Sequence, residues 1–75
     1  MESIELKLRE LSGQFPIVYT KKIVEILGDP ELSVEVKAGQ PSEDMLQLLE
    51  SLGYHVGAKK AMDGWFLLRA VKGKK

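Results

Sequence analysis

The chain has 75 residues, 44% of them apolar and 29% charged, with eleven acidic and eleven basic side chains that cancel. This is the composition of one ordinary globular domain near the lower size limit for folding on a hydrophobic core alone, and a net charge of zero offers no bulk attraction to nucleic acid or membrane. The absence of cysteine excludes disulfides, thiolate catalysis and Cys-based metal sites, and the single histidine has no carboxylates spaced to complete a metal set.

The start of the chain, Met1-Glu2-Ser3-Ile4-Glu5-Leu6, reads as acidic and strand-like, unlike a leader. No apolar run approaches the ~20 residues of a membrane span. The expected setting is therefore cytoplasmic, in a single domain over residues 1–75 with no cofactor.

Ile4, Leu6 and Leu8 alternate with Glu5, Lys7 and Arg9, a period of two that predicts a first strand with one buried and one wet face. Glu10 to Gln14 is the turn that follows. Pro16 suits the first turn of a helix, where its missing N–H is no loss. Ile17, Thr20, Ile23, Val24 and Leu27 then fall on one side at helical spacing, with Lys21, Lys22 and Glu25 on the other. Gly28-Asp29-Pro30 stops the helix.

Leu32, Val34, Val36 and Ala38 alternate with Ser33, Glu35 and Lys37 as a second strand. Gly39-Gln40-Pro41-Ser42-Glu43-Asp44 starts a second helix, with proline near its beginning and acids in its first turn. Met45, Leu48, Leu49 and Leu52 are its buried stripe, Gly53 its stop, and Tyr54 is placed to fold back on the last turn. Tyr54, Val56 and Ala58 open a third strand that ends at Lys59-Lys60. Asp63-Gly64 is a hairpin signal. The fourth strand, Trp65 to Lys72, is apolar on both faces: Phe66, Leu68 and Ala70 form one set, and Trp65, Leu67 and Val71, with Arg69 among them, the other. Residues 72–75 are expected to fray.

The order βαβαββ predicts an α+β two-layer sandwich, a four-stranded mixed sheet with two helices on one face and an antiparallel final hairpin. With this order the chain resembles the TusA/SirA-like sulfur-carrier family along nearly its whole length. That family carries a pattern Leu-Arg-Gly-Leu-x-Cys-Pro-x-Pro, then an apolar pair and Thr-Lys-Lys. Leu8-Arg9, Leu11, Pro16, Ile17-Val18 and Thr20-Lys21-Lys22 match it. Gln40-Pro41-Ser42, Leu52-Gly53-Tyr54-His55 and Asp63-Gly64 resemble its later landmarks.

The departures fall where the family's chemistry lies. Gly13 stands at the cysteine position, Gln14 at the first proline and Glu10 at the glycine. A register with Phe15-Pro16 on Cys-Pro loses the Thr-Lys-Lys match and supplies no thiol either. The resemblance implies a sulfur carrier without the atom that carries sulfur as a persulfide. Gly13, Pro16, Thr20, Lys21 and Lys22 are thus a motif remnant with no catalytic residue.

Ser12, beside the vacated position, is read as a turn or capping hydroxyl, since a nucleophilic role needs a paired base that His55 is not placed to be. His55 is read as solvent-facing and Asp63 as a turn residue. Lys21, Lys22, Lys59, Lys60 and the tail lysines are balanced by Glu25, Glu35, Glu43 and Asp44, which favours a solvated face over an RNA strip. Trp65, Leu67 and Val71 lie on the sheet face away from the helices, amid polar neighbours, as a contact surface would. The expected function is a non-catalytic interaction or regulatory module that binds a protein partner, or itself as a weak homodimer, through the open sheet face. The alternatives are an RNA- or ribosome-associated module and, third, a protein of sulfur relay.

Overall fold

The computed structural model describes residues 3–11, 13–28 and 30–73. The readings made of Ser12, of Asp29 and of the ends Met1-Glu2 and Lys74-Lys75 lie outside these. The elements are β1 (Ser3–Lys7), α1 (Phe15–Leu27), β2 (Glu31–Lys37), α2 (Gln40–Ser51), β3 (Tyr54–Ala61) and β4 (Trp65–Lys72). They form the expected α+β sandwich with a four-stranded mixed sheet.

The strand order is β1-β2-β4-β3. β1 runs parallel to β2, with Ile4 opposite Leu32 and Leu6 opposite Val34. β4 inserts antiparallel between β2 and β3, setting Phe66, Leu68 and Ala70 opposite Val36, Val34 and Leu32. The period of two in each central strand therefore delivers one continuous apolar layer, which packs with Val24 of α1 and Met45 and Leu49 of α2. The two edge strands are blunted, β1 by its shortness and charges and β3 by lysines and a bulge.

Several local expectations are corrected. β1 ends at Lys7, two residues early, because the chain leaves the sheet edge for the turn into α1. Leu8 stays buried all the same, and its N–H donates to the Glu35 carbonyl at 2.8 Å. β3 runs on to Ala61 and shifts register between Val56 and Ala58. The extra residue at Gly57 reverses the alternation, so Ala58, expected beside Tyr54 and Val56, lies opposite Arg69 on the open face. Lys59 takes the helix side opposite Leu68, its ammonium 4.7 Å from the centre of the Phe66 ring.

In α1 the last turn extends past the packed cluster, leaving Leu27 41% exposed although it is in phase with Val24. Tyr54 joins the core cluster that holds Met45 and Leu49 of α2. It is buried, and its hydroxyl donates to the Pro30 carbonyl at 2.5 Å, fastening the start of β3 to the start of β2.

Thr20 is fully buried, and its hydroxyl oxygen has no hydrogen-bond partner. A buried hydroxyl stripped of water and given nothing in return destabilises the fold. Thr20→Val keeps the branched shape and removes that cost. It is expected to raise the urea midpoint by an amount equivalent to about 1 kcal/mol.

Candidate functional site

Two regions bear on function: the entry to α1, where the resemblance places its chemistry, and the open face of the sheet. At the first, Gly13 has a φ of +68°. A Cβ added there would meet open space, so the obstacle to a cysteine is conformational and costs about 1–2 kcal/mol. The turn is thus built around glycine. Gln14 caps α1 without a side-chain hydrogen bond, and the first turn holds no acidic residue. Pro16 and Thr20 point inward and are buried, whereas Lys21 and Lys22 are exposed. The remnant therefore divides into two core positions, two surface lysines and a turn glycine.

On the open face the register brings Trp65 opposite Lys37 and Leu67 opposite both Glu35 and Lys60. Trp65 and Leu67 are half-buried although no helix covers them. The cover is Arg9, which leaves the end of β1 and lies over the Trp65 ring, 4.3 Å from its centre. The same guanidinium has Nε 3.4 Å from Glu35 Oε1, an ion pair without hydrogen-bond geometry. Beside this stack a shallow hollow of ≈ 600 Å³ is lined by Arg9, Glu10, Lys37, Asp63, Gly64 and Trp65.

Val71 belongs to a different part of the face. Exposed Arg69 separates it from Leu67, and it pairs with exposed His55. A second hollow of ≈ 250 Å³ lies there, between Ser3, Glu31 and Ser33 on one side and Ala58, Arg69 and Val71 on the other. The three interface residues read from the sequence thus share a face but not a cluster. Asp63 sits exposed in the hairpin turn, where Met62 N–H donates to the Trp65 carbonyl at 2.8 Å.

The sequence reading missed an exposed apolar surface, the outer side of α1. Phe15, Val18, Tyr19 and Ile26 are all exposed there. The signal lies in the sequence: these residues recur at helical spacing opposite the core-facing stripe, interspersed with Lys21, Lys22 and Glu25.

Among the described residues no group of three or more His, Cys, Asp or Glu side chains is placed to hold a metal ion, and no helix is long and apolar enough to cross a membrane. Compared with family models, with curated proteins and with solved structures, the chain matches none.

Proposed function

We propose that the protein is a non-catalytic interaction or regulatory module on a TusA/SirA-like sandwich, cytoplasmic, carrying no persulfide, and receiving a protein partner on its open sheet face. The observation that carries this reading is the pair Trp65 and Leu67, half-exposed on a sheet face without a helix, with a charged rim of both signs from Glu5, Lys7, Glu31, Lys37, Lys60 and Arg69. An apolar centre ringed by mixed charge is how transient protein contacts are built. The Arg9 stack holds the Trp65 ring in place before any partner arrives, which lowers the ordering cost of binding. The motif remnant and the glycine-adapted turn at Gly13 support the family reading and its loss of sulfur chemistry together.

Covering Trp65 and Leu67 is worth a few kcal/mol at ~25 cal/mol per Å² of apolar area, before the costs of association. That suits a reversible contact. The test is the double variant Trp65→Ser with Leu67→Arg, used as bait in native lysate beside the parent chain. Neither side chain faces the helices, so cooperative unfolding is expected to survive while specifically captured protein partners are lost. A variant that keeps every partner would remove the interface.

A second reading rests on a specific observation: Lys7, Arg9, Lys37, Lys60 and Arg69 share this face with the Trp65 ring, a combination that also serves RNA. Glu5, Glu31 and Glu35 interleave with them and weaken it. Nuclease treatment of the lysate separates the two, since partners that vanish with it would transfer the assignment to RNA.

A further inference from the structure

The outer side of α1 has a spacing of its own. Phe15, Tyr19, Lys22 and Ile26 follow one another at intervals of four, three and four residues, the spacing of a coiled-coil seam over two heptads. The seam faces solvent: Phe15 is 71%, Tyr19 49% and Ile26 72% exposed, with Val18 beside it at 55%. Ile17, Ile23 and Val24 on the other side of the same helix already pack on the core. A helix apolar on both sides has a second surface to bury.

We infer that this seam pairs with the same seam of a second copy of the chain, the two α1 helices running antiparallel about a two-fold axis that passes between Thr20 and Lys21. The pattern is self-complementary in this arrangement. Residues equidistant from the axis meet, so Phe15 packs on Ile26 of the other copy, and Tyr19 receives the ammonium of Lys22 over its ring. A parallel pairing would instead oppose Lys22 to Lys22 at the centre of the seam. The single cation in an otherwise apolar seam thus selects orientation, the role that polar seam residues have in coiled coils.

The area agrees with a dimer of modest strength. With an aromatic side chain carrying ~150–250 Å² when fully buried, the four exposed side chains leave on the order of 400–500 Å² per copy to cover. Adding the stems of Lys21, Lys22 and Glu25 brings the pair to roughly 1,200 Å² in total, the lower end of specific interfaces. The chain has no net charge to hold two copies apart, and its blunted sheet edges offer no competing strand pairing. The surface is separate from the open sheet face, so both can be occupied together.

Sedimentation equilibrium of the full chain from about 1 μM to 1 mM reads the association directly, across the range where an interface this small dissociates. The mass is expected to climb from 8.4 kDa towards twice that value. Phe15→Glu with Ile26→Glu is expected to stay monomeric over the whole range, weakening association at least tenfold, with the circular dichroism and melting of the parent because both positions are exposed. Tyr19→Glu is the orientation test. Opposite Lys22 it replaces a ring contact by an ion pair, so dimerisation should persist and become salt-dependent.

A parent chain that stays monomeric at 1 mM would overturn the inference, as would a dimer that survives in the Phe15/Ile26 variant. Loss of self-association in the Trp65→Ser, Leu67→Arg variant alone would move the dimer to the open face and overturn it as well. Binding of the monomer to phosphatidylglycerol vesicles, lost in the Phe15/Ile26 variant, would assign the seam to a lipid surface instead.

Discussion

Leu68→Ala is expected to remove about 2–5 kcal/mol from a domain whose whole stability, at this length, is roughly 4–11 kcal/mol. Leu68 is fully buried at the centre of β4, opposite Val34, which is also fully buried. Nothing around it is free to collapse into the space, since its neighbours are fixed by the strand ladder on both sides and by Met45 and Leu49 above. The cost is therefore the lost transfer energy plus a cavity. A fall in melting temperature of about 10 °C or more is the reading, since each kcal/mol moves a domain of this size by ~4–8 °C. Leu67→Ala, one residue away on the open face, is expected to cost under ~1 kcal/mol. Equal losses at the two positions would show that the faces of β4 are not divided as described.

Gly39→Ala is expected to cost about 1–3 kcal/mol without any steric clash. Gly39 has φ 95° and ψ −145°, a region that residues with a Cβ scarcely enter, although a Cβ there would meet no atom within 4 Å. The conformation aims its carbonyl along the start of α2, where it accepts the Ser42 and Glu43 N–H groups at 3.1 and 3.2 Å and the Ser42 hydroxyl at 2.7 Å. A substitution must either hold the strained backbone or give up the three bonds that begin the helix. Urea unfolding measures the loss, and faster hydrogen exchange at the Ser42 and Glu43 amides relative to the middle of α2 locates it. Unchanged stability would show that the helix begins by another route.

The resemblance and the structure meet at Gly13. Where the sulfur-carrier pattern places its thiol, this chain has a residue whose positive φ favours glycine. A cysteine placed at this position would oppose the local backbone, and Gln14 stands where the pattern has a proline.

Element order and strand phase were legible in the residues themselves. Alternation in Ile4–Leu6 and Leu32–Val36 sets which side of each strand is apolar, and Gly28 and Gly53 stop the two helices, because these are properties of a few neighbouring residues. The double-faced apolar character of β4 likewise put Phe66, Leu68 and Ala70 on one face and Trp65, Leu67 and Val71 on the other, as the register has them. What needed the tertiary structure was every feature that depends on residues far apart in the chain. The insertion of β4 between β2 and β3, the capture of Trp65 by Arg9 and the bond from Tyr54 to Pro30 each join distant segments. The bulge at Gly57 is of the same kind: only pairing against β4 shows that two residues stand where one would fit, and that single extra residue sends Ala58 and Lys59 to opposite faces from those their alternation implies. For α1, local periodicity shows a helix apolar on both sides, and only packing decides that Ile17, Ile23 and Val24 meet the core while Phe15, Tyr19 and Ile26 are left to solvent, because a helix can turn just one side to a single sheet.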